Sequence, residues 1–202
     1  MQPSITSQVK KKINSMSLGS LLTAKDLLEY GSYDTVKRIL VRLNKENYIN
    51  RVIDGIYTKT RTSKLTNEIV PVDPHALALK IADNFSWKII PTGNHALNLL
   101  GLSEQVPTSY EYLSTGPYRD YQYKNIIIKF KNTKSAEINE LDSKSSLVIS
   151  AIKCLGKNNI NDKIIHKIKS QLSASECDII LKDSVKITNW IYEILKEICI
   201  TA

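Results

Sequence analysis

The residues best able to do chemistry are three histidines, three cysteines and a few carboxylates near apolar runs. His75, His95 and His166 fall in three separate segments, and none has a second ligand at metal spacing. Neither Cys-x-x-Cys nor His-Glu-x-x-His occurs, so no metal and no cofactor are expected. Cys154, Cys177 and Cys199 are odd in number and far apart, which argues against a disulfide framework and for a reducing compartment. Pro91-Thr92-Gly93-Asn94 precedes a helical segment and could hold an anion at its N-terminus. It lacks the lysine and the glycine spacing of a phosphate-binding loop, so an ordinary strand-to-helix turn is the simpler reading. The run Ile126 to Lys131 resembles part of a nuclease core, but its nearest carboxylates, Asp120 and Glu137, are not on the strand. No Gly-x-Ser-x-Gly elbow is present. The expectation is a protein that is not an enzyme.

Charge points elsewhere. The chain has 202 residues, 28 basic and 20 acidic, for a net charge of +8. Residues 1–70 hold 12 of the basic and 6 of the acidic side chains, so most of the excess lies in the first third. A basic segment on a near-neutral remainder suits a polyanionic partner, although solubility alone also accounts for such a charge. An apolar fraction of 42% excludes wholesale disorder. No apolar run approaches the roughly 20 residues of a membrane span. The polar N-terminus leads straight into lysines, so no secretory leader and a cytoplasmic location are expected. A second cluster is aromatic: Tyr110, Tyr112, Tyr118, Tyr121 and Tyr123 crowd together with Arg119 among them. Such residues are enriched at interfaces, and tyrosine also favours sheets.

The elements that must position these groups follow from periodicity. Ile5, Val9, Ile13 and Met16 recur at helical spacing. Thr23 and Asp26 resemble a capping box that opens a short helix to about Tyr30. Gly31-Ser32 makes a turn, and Ser32 caps a third helix from Tyr33 to about Glu46. Its apolar stripe is Val36, Ile39, Leu40 and Leu43, with Lys37, Arg38, Arg42 and Lys45 mostly off it. Asp54-Gly55 between two β-branched runs predicts a hairpin that pairs Ile53 with Ile56 and Val52 with Tyr57. Helix, helix, turn, helix, hairpin is the layout of a winged helix-turn-helix. A three-helix domain that binds protein is the alternative.

Residues 63–72 read as a linker. Asp73 and Pro74 then open a helix to about Asn84. Strand candidates follow at Trp87–Ile90, Tyr110–Ser114 and Asn125–Phe130, with a helix from His95 to Leu100 and a turn at Gly116-Pro117. From Asp142 onward four apolar stripes predict four helices, one opened by a capping box at Ser173 and Glu176. The expected fold is α+β and helix-rich. A winged helix-turn-helix spans 1–62, and an α+β domain with a C-terminal four-helix segment spans 73–202.

These residues also resemble a known group. Asp54-Gly55-Ile56-Tyr57 after the third helix, Pro91-Thr92-Gly93-Asn94-His95-Ala96-Leu97 with Leu100-Gly101-Leu102, Gln105-Val106-Pro107, Ser114-Thr115-Gly116 and Trp190 are similar to the AbiEi group of antitoxin-type transcription factors. That resemblance implies a repressor that binds inverted repeats in its own promoter. It also implies an antitoxin of a type IV toxin–antitoxin system, linked to phage defence. Such an antitoxin counteracts a nucleotidyltransferase-type toxin without a stable complex.

On this reading Ser32, Tyr33 and Thr35 reach base edges, and Arg38 and Arg42 contact phosphates or guanines. Lys45 extends that basic face. Arg51 and Lys59 on the hairpin neutralise phosphates, as do Lys10, Lys11 or Lys12 if the first helix crosses the backbone. Tyr118, Arg119, Tyr121 and Tyr123 are interaction candidates in the second domain. The alternative is a stand-alone winged-helix regulator whose second domain binds a protein or a small ligand.

Overall fold

The computed structural model describes residues 3–59, 70–105, 107–134 and 140–200. The fold is α+β and helix-rich, and the chain divides into two compact units, Met1–Ser86 and Trp87–Ala202.

The first unit opens with α1 (Ile5–Ser15), capped by the Ser4 hydroxyl, which accepts from the Ser7 amide. A two-residue strand β1 (Leu21–Leu22) follows. Lys25–Tyr30 then forms a 3-10 helix where the sequence suggested an α-helix. Asp26 accepts from both the Thr23 amide (2.6 Å) and the Thr23 hydroxyl (3.0 Å), so one half of the expected capping box forms, while the Thr23 hydroxyl caps no amide of the helix. Next is α2 (Tyr33–Lys45), with Ser32 accepting from the Thr35 amide as its cap. The hairpin strands are β2 (Asn50–Ile53) and β3 (Ile56–Thr58), and the sheet order is β1-β3-β2. Val9, Ile13, Leu22, Leu27, Val36, Leu40, Leu43, Ile49 and Tyr57 form one buried cluster. It is built from the stripes read in the sequence, and the central strand β3 is buried along its length.

The hairpin corrects the expected register. Ile53 does face Ile56, but Tyr57 pairs with Arg51 and Thr58 with Asn50. Val52 is the extra residue of a bulge in β2, and Ile56 and Tyr57, on opposite faces of the central strand β3, are both buried. In the turn, Gly55 takes a φ of +78° and Asp54 does not adopt a positive φ.

Helix α3 (Pro74–Phe85) is capped by Asp73, with Pro74 in its first turn, as the sequence suggested. The sequence placed it with the second domain, but it groups with the first unit. The Lys80 ammonium binds Asp26 at 2.6 Å and Asp83 at 3.0 Å, and Lys25 donates to the Asn84 carbonyl. The expected linker lies outside the described residues up to position 69.

The second unit holds a four-stranded sheet and a helical segment. Strands β4 (Ile89–Pro91), β5 (Ser109–Ser114), β6 (Arg119–Tyr123) and β7 (Ile126–Asn132) stand in the order β4-β5-β7-β6. β5 and β7 are parallel, and the other pairs are antiparallel. The sequence left β6 as part of a connection. Its residues are polar because it is an edge strand with mostly exposed side chains. Helix α4 (Gly93–Leu99) links β4 to β5. Then come α5 (Ser143–Leu155), α6 (Asp162–Lys169), α7 (Ala174–Asp183) and α8 (Asn189–Ile200). The Ser173–Glu176 capping box forms with both reciprocal bonds. Val148, Ile152, Ile168, Ile180, Ile191 and Leu195 share one buried cluster with Leu100 of the α4 end.

Candidate nucleic-acid interface

Helix α2 positions the candidate site. Burying Val36, Ile39, Leu40 and Leu43 turns the opposite side outward, where Tyr33, Asp34, Lys37, Arg38, Val41, Arg42 and Lys45 are exposed. The helix cannot rotate this face inward without burying several charges.

The side chains on this face are not equivalent. Ser32 Oγ lies 3.0 Å from Thr35 Oγ1 and also accepts from the Thr35 amide, so both hydroxyls are engaged at the helix start. Arg42 donates to Thr6 Oγ1 at 2.8 Å and pairs with Glu46 at 3.8 Å, which ties it back toward α1. Among the described residues, no ion pair or side-chain hydrogen bond holds Lys37, Arg38 or Lys45. Asp34, Lys37, Arg38 and Val41 enclose a shallow surface cavity of about 330 Å³. Asp34 and Val41 were not among the residues singled out in the sequence, and Lys37 was noted only as lying off the apolar stripe. Their spacing of three and four along one helix face was the signal available.

The hairpin is tied to the end of this helix, where the Arg51 amide donates to Asn44 Oδ1 at 2.8 Å. Burial raises the Tyr57 phenol above its ordinary value; Arg51 pulls it down, while Asp54 and Tyr33 push it up. Arg51 is paired with Asp54, whose side chain is almost wholly exposed. Lys59 points elsewhere: its ammonium donates to the carbonyls of Asn14 (2.7 Å) and Met16 (2.8 Å) at the end of α1. On α1, Lys10 pairs with Glu46 at 3.4 Å and Lys12 with Glu29 at 3.9 Å. These pairs are exposed and screened, so an incoming polyanion displaces them at little cost.

The tyrosine cluster of the second unit is mostly a sheet face. Tyr110, Tyr112 and Tyr123 are buried. The Tyr112 hydroxyl meets His95 Nε2 at 2.9 Å, and both Tyr110 and Tyr112 stand edge-on to the His95 ring. His95 is thus a core histidine. Tyr121 stands edge-on to Phe130, with the Arg119 guanidinium 5.4 Å from its ring centre. Of the four interaction candidates only Tyr118 and Arg119 are well exposed. The suspected anion-binding turn is also committed: the Thr92 hydroxyl donates to the Glu111 carbonyl at 3.2 Å, and α4 is only seven residues long. Asp120 sits opposite Lys129 across β6 and β7, and Glu137 lies outside the described residues. No group of three or more His, Cys, Asp or Glu side chains could hold a metal among the described residues. No helix there is long and apolar enough to cross a membrane.

Comparison with known proteins gives three results. No curated protein matches the chain. Among solved structures, the crystal structure of the RV2827C protein from Mycobacterium tuberculosis is similar at 10% identity and a TM-score of 0.44. That similarity covers 98% of this chain and 76% of the other. Residues 8–180, most of the sequence, match a family of unknown function, and the chain therefore belongs to the DUF6088 family.

Proposed function

We propose that this chain is a double-stranded DNA-binding transcriptional repressor. Its first unit works as a winged helix-turn-helix, with α2 in the major groove and the β2–β3 hairpin as the wing. The observation that carries the reading is the outward face of α2. Lys37, Arg38 and Lys45 stand there exposed, and Asn44 of the same helix accepts from the Arg51 amide of the hairpin. A rigid helix with unengaged cations on one side matches a phosphate-lined groove. Arg51 supplies the wing's backbone contact.

The resemblance to the AbiEi group extends the proposal. The repressor acts in the cytoplasm on inverted repeats in its own promoter. The same protein serves as the antitoxin of a type IV system, counteracting a nucleotidyltransferase-type toxin without a stable complex. No catalytic step, metal or cofactor enters this reading. A second reading, a regulator whose second unit binds protein, is favoured by exposed Tyr118 beside Arg119.

A mobility shift with the DNA upstream of the gene, beside a scrambled duplex, tests the repressor. Selective binding is expected, with a log–log salt slope of about −0.9 per phosphate neutralised. Lys45→Ala and Arg51→Ala should each reduce that slope by about one. Equal binding to both duplexes would reduce the claim to a basic surface. Co-expression with the product of the neighbouring gene tests the antitoxin: rescue of growth is expected, and growth arrest despite expression removes that half.

A further inference from the structure

Resting on the DNA-binding reading above, we infer that Arg38 and Val41 carry base selectivity, and that the preferred site places a guanine and a thymine on neighbouring base steps. The hydroxyls at the start of α2 are the obvious readers in the sequence. In the structure Ser32 and Thr35 satisfy each other and the helix end. Arg42 is held by Thr6 and Glu46. Tyr33, Asp34, Lys37, Arg38, Val41 and Lys45 also face outward, and among them Asp34, Arg38 and Val41 form a strip at helical spacing that lines one surface cavity with Lys37.

Each member of the strip has a chemical reason to face base edges. Val41 is 40% exposed in the middle of a basic face. Phosphates and sugars' charged surroundings offer a valine nothing. On the major-groove edge the one apolar group is the thymine 5-methyl. A β-branched side chain on a helix is nearly locked in one rotamer, so it presents its methyl groups with little entropy left to lose. Arg38 is a planar fork of donors, which fits O6 and N7 of guanine in two parallel bonds. Asp34, in the first turn of α2, repels phosphate and can accept from a cytosine amino group where it meets base edges. Arg38 and Val41 are three residues apart, about 4.5 Å along the helix axis. Base steps are about 3.4 Å apart. The two contacts therefore fall on adjacent steps when α2 lies along the groove.

The test uses the full chain. Its preferred site is first selected from randomised duplexes. Each thymine in that site is then replaced by deoxyuridine, which removes the methyl group alone. One replacement is expected to weaken wild-type binding about fourfold, the worth of one buried methyl. Val41→Ala should lose that sensitivity and gain none elsewhere. Arg38→Ala should weaken binding by roughly 5-fold to 100-fold and flatten the preference for guanine at the adjoining step. Val41→Thr, which keeps one methyl and the branched shape, controls for folding and should retain part of the effect. A selected site in which no deoxyuridine matters, or a Val41→Ala chain as sensitive as the wild type, overturns the assignment while leaving DNA binding intact. Failure to select any sequence overturns both this inference and the repressor on which it rests.

Discussion

Lys59 donates to two main-chain carbonyls, those of Asn14 and Met16, where α1 ends. A helix C-terminus leaves carbonyls without partners, and an ammonium there satisfies them and complements the helix dipole. Lys59→Met should therefore lower stability by about 1–2 kcal/mol, read as a urea midpoint. The same variant should leave the salt slope of DNA binding unchanged. A slope reduced by one would return Lys59 to the phosphate contacts. A second residue-scale device is the pair of Asp26 and Lys80. Burial raises the Asp26 carboxyl, but the Lys80 hydrogen bond and charge and the Thr23 donors outweigh it, leaving it below its ordinary 3.8. Burial likewise lowers the Lys80 ammonium, and Asp26 and Asp83 outweigh that, leaving it above its ordinary 10.5. The contribution of Asp26 is thus present above about pH 4 and is lost as pH falls through the depressed value. That of Lys80 is fully present below its ordinary value and is lost as pH rises through the raised one. Lys80→Met should lower the melting temperature across the neutral range, with the gap narrowing below about pH 4. A gap constant down to pH 2 would mean that packing of the lysine stem, not the pair, is what was lost.

The second unit's sheet depends on one close approach between elements. A Cβ on Gly116, in the connection from β5 to β6, would lie 2.3 Å from two Trp87 ring carbons. The Gly116 amide donates to Ser114 Oγ at 2.9 Å, and Asn132 donates to the Gly116 carbonyl at 2.7 Å, so the backbone cannot retreat. Trp87 in turn stands edge-on to Phe130, 5.6 Å between ring centres. Gly116→Ala should destabilise this unit by about 1–3 kcal/mol through overpacking. Trp87→Leu in the Gly116→Ala chain should recover part of that loss. Denaturation followed by near-UV circular dichroism measures both, and a Gly116→Ala chain as stable as the wild type would mean that the indole moves aside freely. Two helices of this unit show the opposite dependence. Ser173 and Asn161 each cap their own helix by accepting from an amide three residues on, whereas the start of α5 also uses Asp183, which accepts from the Asp142 amide at 2.9 Å and from the Ser145 hydroxyl at 2.8 Å.

For the whole molecule, the division falls after α3 and not before it. A chain ending at Ser86 keeps the Asp26–Lys80 pair and the Lys25 bond to Asn84, whereas a chain ending at residue 62 loses both. The longer piece should unfold at the higher urea concentration, and it should retain the DNA binding of the full chain. Equal midpoints would place α3 outside the folding unit. Charge follows that division only in part, since residues 1–86 carry a net +5 and residues 87–202 a net +3. The excess of cations lies in the first third, and the outward face of the second unit's sheet alternates sign, with Lys131 bound to Glu111 at 2.7 Å and Lys129 opposite Asp120.

What the sequence alone determined is whatever is settled within a turn or two of chain. The stripe of α2, its Ser32 cap, the Asp73–Pro74 helix start and the Ser173–Glu176 box were all legible, because each rests on partners three or four residues away. The hairpin was legible as a hairpin, but its register was not. The bulge at Val52 puts Tyr57, whose ring joins the buried cluster of the helices, opposite Arg51, and nothing within the turn sequence specifies that extra residue. Strand β6 was hidden because an edge strand needs no apolar face of its own. The candidate site shows the same limit most clearly. Spacing identified the basic helix, but Arg42 is engaged by Thr6 from 36 residues away and Lys59 by Asn14 from 45. Which cations are left without a partner among the described residues is a matter of long-range contacts, so only the tertiary structure decided that Lys37, Arg38 and Lys45 are the unengaged cations of the face.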